Sequence, residues 1–125
     1  MSGWHYENKP FEPEESIRGI VYRMELDGYW YIGKKTIKSP KGKPTKYQDY
    51  FGSGKRWLEH IHGREQDVER QIVYLCANKT EMDYWESYLL YTTHAIFRTD
   101  SMNDNVSMVT NRRTSKNFIN KPETT

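Results

Sequence analysis

Residues 19–33 read GIVYRMELDGYWYIG, and taking this stretch as a β-hairpin decides how the rest of the chain is read. Asp27-Gly28 suits a two-residue type I′ turn, because both central positions need φ > 0 and neither residue resists it strongly. The flanks are rich in Tyr, Ile, Val and Trp, which pleated strands favour. With the turn at 27–28, Leu26 faces Tyr29, Met24 faces Tyr31 and Tyr22 faces Gly33. Directly opposed residues share a face, so Tyr22 and Tyr31 meet as diagonal neighbours beside the bare backbone of Gly33. Val21, Trp30 and Ile32 point the other way and can fill a core. Two phenols converging on a glycine make a place to set a substrate, although a half-buried tyrosine in a strand needs no function.

The chain has 125 residues and a mass of 15.0 kDa, enough for one domain with a modest core. Hydrophobic residues make up 35% and mean hydropathy is −1.00, which points to a soluble protein with polar ends. No apolar run has the length of a membrane span, and the opening MSGWHYENKP lacks a signal-peptide core. The one cysteine, Cys76, excludes a disulfide framework and a Cys-based zinc site. A cytoplasmic location is expected, the host cytoplasm if the gene is a phage's.

Net charge is only +2, but its distribution is uneven. Residues 1–18 hold Glu7, Glu12, Glu14 and Glu15 against Lys9 and Arg18. With two prolines and little periodicity they are expected to form an arm, pinned by Trp4, Tyr6 and Phe11. Residues 34–46 hold six lysines (Lys34, Lys35, Lys38, Lys41, Lys43, Lys46) and no acid. Pro40, Gly42 and Pro44 predict a loop over 34–49. Leaving the hairpin beside the paired tyrosines, these lysines fit contacts along a DNA backbone, where they would displace condensed counterions. A merely solvated loop is the plainer alternative.

Residues 50–57, YFGSGKRW, lead into a short helix with Ser53 as N-cap and Gly63 as stop. Trp57, Leu58 and Ile61 have the spacing to pack inward, while Arg56 and His60 share another face. Gly52 and Gly54 lack the spacing of an NTPase phosphate loop, which excludes that class. A helix start carrying Lys55 and Arg56 still suits a nucleic-acid phosphate. Residues 68–76, VERQIVYLC, read as a strand whose end is apolar on both faces, as a central strand would be.

A second helix opens at 78–80, with Thr80 and Asp83 as a capping pair and Met82, Trp85, Leu89 and Leu90 as its apolar stripe. Glu81 and Asp83 sit in the first turn, where the helix dipole favours acids. Glu86 lies inside the stripe, where a carboxylate is costly unless a cation or hydrogen bonds compensate. A rim carboxylate paired with a lysine would meet that need without any function. Beyond Ala95 the chain turns polar, with five asparagines. Residues 111–125 read as a basic tail in which Arg112, Arg113 and Lys116 offer a second basic contact, ending in a frayed KPETT.

GIVY followed by YIG resembles the GIY-YIG nuclease family, with Tyr22 and Tyr31 nine residues apart and one extra residue in the first motif. Lys55-Arg56-Trp57 followed by His60 is similar to the family helix that carries a catalytic arginine. The YxGSGK stretch after a long insertion looks like that of phage-encoded members, and Arg56 stands at about twice the family's interval from Gly33. Tyr50-Phe51-Gly52 offers a rival register for the second motif, rejected because only Tyr31 belongs to a hairpin closed by Asp27-Gly28.

The resemblance implies an α+β domain over 19–110, a three-stranded antiparallel sheet flanked by helices, that hydrolyses phosphodiester bonds in DNA. It implies Glu86, in YWESYLL, as the ligand of one Mg²⁺ or Mn²⁺. Tyr22 is then the base for the attacking water, with Tyr31 orienting it, the cation and basic residues lowering a phenol pKa from about 10. Arg56, or Lys55 one residue earlier, would steady the phosphate. His60 would relay a proton or position the water. Asn103 and Asn105 both fit the asparagine that follows the family's glutamate, and NDNVSM favours Asn105. A protein that binds or inhibits without cutting is the alternative on the same fold. Whether a homodimer acts is left open by the sequence.

Overall fold

Asp27 and Gly28 close the hairpin with φ of 57° and 82°, joining β3 (Gly19–Leu26) to β4 (Tyr29–Thr36). The pairing is the one the turn dictates: Leu26 with Tyr29, Met24 with Tyr31, Tyr22 with Gly33. The computed structural model describes residues 3–107 and 110–123. The last two residues of the KPETT end, read as frayed, lie outside them.

Among the described residues the sheet has five strands, in the order β2-β1-β5-β3-β4, where β1 is Trp4–Tyr6, β2 Lys9–Pro10 and β5 Glu69–Cys76. The expected sheet of three antiparallel strands is therefore corrected to five, and it is mixed, because β1 runs parallel to β5. The physical reason lies in the first residues. Trp4 is buried, its indole N–H donates to the Tyr47 carbonyl at 2.9 Å, and the Arg70 guanidinium lies 4.6 Å from its ring centre. Anchored in this way, the segment covers an edge of β5 that would otherwise present unpaired backbone groups.

The two faces of the sheet carry different cores. Ile20, Tyr22, Met24 and Leu26 pack with Trp57 and Ile61 of α1 (Lys55–Ile61). Val21 joins Met82 of α2 (Lys79–Thr92), while Trp30 and Ile32 join its Leu90. Leu58, expected inward, is instead exposed. The capping residues also differ from expectation. Gly54, not Ser53, is the N-cap of α1 and has no side chain to offer. Asn78 caps α2 by accepting the Glu81 N–H at 2.8 Å, and the Glu81 carboxylate accepts the N–H of Ala77 before the cap, so the capping residues lie two positions before Thr80 and Asp83.

Lys34 and Lys35, read as loop, belong to β4. Pairing of β3 with β4 runs on to Gly19–Thr36, so ladder hydrogen bonds override the loop composition there. The loop begins beyond and is pinched by a bridge between Lys38 and Pro44.

Residues 100–103 lie along the free edge of β4. The Trp30 N–H donates to the Asp100 carbonyl at 3.0 Å and the Met102 N–H to the Trp30 carbonyl at 2.7 Å. This fills ladder positions that an edge strand leaves open, and it buries Ser101 and Asn103. Arg112, at the start of the short α3 (Arg112–Ser115), fastens the segment. Its guanidinium donates to the carbonyls of Ala95, Arg98, Ser101 and Asn103 and pairs with Asp104. The residue read as a basic contact is a tether. Among the described residues no helix is long and apolar enough to cross a membrane.

Candidate active site

The two tyrosines converge as the hairpin register requires, with ring centres 6.4 Å apart. Tyr22 is fully buried, edge-on to Trp4 at 5.3 Å, and its hydroxyl lies 3.4 Å from that of Tyr50. A Cβ on Gly33 would stand 2.3 Å from the Tyr22 hydroxyl, so only glycine leaves room for the phenol there. Tyr31 lies nearer the surface, stacked on Trp57 with centres 5.8 Å apart and planes within 10°. Gly54 makes way for it similarly, since a Cβ there would come within 2.6 Å of the ring.

Burial, and then the neighbouring Tyr50 and Tyr31 hydroxyls, hold the Tyr22 pKa well above the ordinary phenol value. Burial also raises that of Tyr31, with a hydrogen bond to Ser53 opposing it. In the protein alone, desolvation thus raises both phenols, opposite in direction to the lowering expected of a bound cation and basic residues.

A cavity of about 370 Å³ opens at the outer edge of β4, and Tyr31, Lys55, Glu86, Asn103, Asp104 and Asn105 are among the side chains that line it. Helix α2 delivers Glu86 to one wall, α1 delivers Lys55 to another, and the segment along β4 supplies the asparagines. Glu86 keeps 22% of its side chain exposed, and burial raises its pKa against the opposing charge of Lys34. The Lys34 ammonium stands 3.3 Å from Glu86 and 2.5 Å from Asp83. Glu86 is thus a carboxylate paired with a lysine, as the plainer reading of the helix had it, although Lys34 itself was counted with the loop. The signal available was the i, i+3 spacing of Asp83 and Glu86 on one helix face.

Asn103 and Asn105 occupy different environments. Asn103 is buried, accepts the Ile32 N–H and donates to the Ile32 carbonyl, both at 2.8 Å. Asn105, the residue favoured by its local sequence, is exposed on the cavity wall. Lys55 is exposed and, among the described residues, has no ion-pair partner, whereas Arg56 is held to Asp104 at 2.9 Å and donates to the Ser101 carbonyl. His60 does not line the cavity. Its Nε2–H donates to the Leu26 carbonyl at 3.0 Å, and its ring packs against Tyr29 and Trp57.

None of the six lysines of 34–46 lines the cavity. Lys35 lies over the Tyr50 ring at 4.7 Å and Lys38 donates to the Glu15 carbonyl, while Lys41, Lys43 and Lys46 are exposed. Arg70, which sequence reasoning passed over, is buried and donates to the Gln48 and Tyr50 carbonyls, setting the loop that carries the Tyr50 phenol.

Among the described residues no group of three or more His, Cys, Asp or Glu side chains could hold a metal ion. Glu86 faces the open cavity but is paired with Lys34 at 3.3 Å, and Asp104, the other acid on the wall, is paired with Arg56. A hard cation that keeps several waters and completes its shell with substrate phosphate, as Mg²⁺ does, fits Glu86 by displacing that ammonium, which Asp83 also holds.

Neither a curated protein nor a solved structure matches the chain. A family model does, over residues 4–113, and its description is "Putative endonuclease segE, GIY-YIG domain". The match takes in β1 as well as the hairpin, both helices that flank the cavity and the segment along β4.

Proposed function

The chain belongs to the GIY-YIG endonuclease family, and from that premise we propose that it is a divalent-metal-dependent endonuclease that hydrolyses DNA phosphodiester bonds in the cavity beside β4. The observation that carries this reading is the meeting of Tyr31, Lys55, Glu86 and Asn103 around one opening. Glu86 would hold one Mg²⁺ or Mn²⁺, which when bound stabilises charge growing on the phosphate and the leaving oxygen.

The chain's own groups divide the remaining work. Lys55, without an ion-pair partner among the described residues, takes a phosphate oxygen, and Arg56, braced by Asp104, offers its remaining N–H donors beside it. Tyr31 is the phenol that meets the attacking water, because Tyr22 is sealed behind it. Tyr22, assigned above as the base, instead supports Tyr31 and Tyr50 from the core. Asn103 holds the segment along β4 in place through both of its amide atoms. His60, tied to Leu26, fixes α1 against the hairpin. The exposed Lys41, Lys43 and Lys46 add attraction for the DNA backbone at a distance from the cut.

Incubating the purified protein with supercoiled plasmid tests this reading. Nicked or linear DNA is expected with Mg²⁺ or Mn²⁺ and none with EDTA. Plasmid that is retarded on a gel but stays intact with either ion would identify a binding protein on the same fold instead.

A further inference from the structure

A second cavity, of about 420 Å³, adjoins the first and shares Asp104 and Asn105 with it. Its other walls are Asn111, Arg112, Arg113 and Lys116. Among the described residues Asp104 is the only acid on the walls of this second cavity, and Arg56 and Arg112 already pair with it, at 2.9 and 3.3 Å. Arg113 in α3 and Lys116, the residue that ends it, are exposed and have no ion-pair partner among the described residues. Two further details hold them in place. Asn111 caps α3 and bridges back to Asn105, and Arg112 bolts α3 to the carbonyls of 95–103. The result is a trench that leads from the cavity of Glu86 and Lys55 to a positively charged wall whose backbone is tied down.

We infer that this trench binds the DNA strand as it leaves the cleavage cavity, with Arg113 and Lys116 on successive backbone phosphates and the Asn105 and Asn111 amides as neutral donors. The inference rests on the proposed nuclease reading, and it gives the substrate a path along residues 101–107 and 110–116 rather than across the lysine loop alone. Paired charge at Asp104 is what makes the path open to phosphates. A free carboxylate there would repel them.

The test is binding of a 30-base-pair duplex in EDTA, measured against salt for wild type, for Arg113→Ala/Lys116→Ala and for Lys116→Ala alone. Melting curves for all three establish that each is folded, and the exposed Lys116 serves if the double variant is not. Each phosphate left without its cation is expected to flatten the slope of log K against log salt by up to about 0.9, hence by about 1.8 in the double variant. Affinity and slope equal to wild type in the folded variants would overturn the trench while leaving the nuclease reading intact. Wild-type protein that shows no salt-dependent DNA binding would overturn both.

Discussion

Glu86→Gln is expected to abolish metal-dependent nicking, by about a thousandfold or more, while the protein stays folded and keeps its affinity for DNA. Glutamine retains the shape and the hydrogen-bonding atoms of glutamate but not the charge that a hard cation demands. A thousandfold loss corresponds to about 4 kcal/mol of transition-state stabilisation, within the range of one metal ligand's contribution. Affinity for DNA survives because the lysines and arginines are untouched. Stability changes in the opposite direction to activity. Burial raises the Glu86 pKa in the folded chain, so its ionised form disfavours folding at neutral pH, and that cost disappears as the pH falls below the ordinary glutamate value. The variant is therefore expected to melt at or slightly above the wild-type temperature near pH 7, with the difference closing in acid. Lys34 is not orphaned, since Asp83 still pairs with it at 2.5 Å. A variant that melts earlier yet nicks normally would make Glu86 a structural carboxylate.

The largest expected loss of stability is at Arg112. Replacing it with alanine removes the donor for four backbone carbonyls and one partner of Asp104. Charged hydrogen bonds in partly buried settings contribute unequally, and acceptors left dry add to the cost, so about 3 kcal/mol is expected. For a domain of this size that lowers the melting temperature by about 10 °C. Activity should fall further than the folded fraction does, because Asn103 and the cavity wall lose their tether. Arg112→Lys should recover little, since a point ammonium cannot reach four carbonyls spread across one guanidinium fork. A melting curve within about 2 °C of wild type would show that the 95–104 segment holds itself in place.

The hairpin was legible because one turn fixes a whole register: Asp27-Gly28 places Tyr22 opposite Gly33 and Tyr31 opposite Met24, and the alternation then sorts every side chain to a face. Glu86 was legible for a different reason, being the one acid set within an apolar helical stripe. What local patterning missed is long-range. Trp4 and Arg70 meet across the sheet only after β1 has docked on β5, so residues 1–18 read as an arm. Arg112 looked like a surface cation because the carbonyls that it serves come from a segment with no periodicity of its own. Asn103 and Asn105 are indistinguishable in a run of turn-forming residues until 100–103 is laid along β4. The rise of the tyrosine pKa values in the protein alone was not legible because charge nearby can be counted from a sequence and desolvation cannot.

Paramagnetic broadening by Mn²⁺ tests the seat of the cation most directly, without relying on cleavage. In wild-type protein, amide and side-chain NMR signals of Glu86, Tyr31, Lys55 and Asn103 should broaden together at low Mn²⁺, and in Glu86→Gln they should stay sharp at the same concentration. Broadening centred elsewhere, or the same pattern in both proteins, would contradict the assignment of this cavity as a metal-dependent nuclease site.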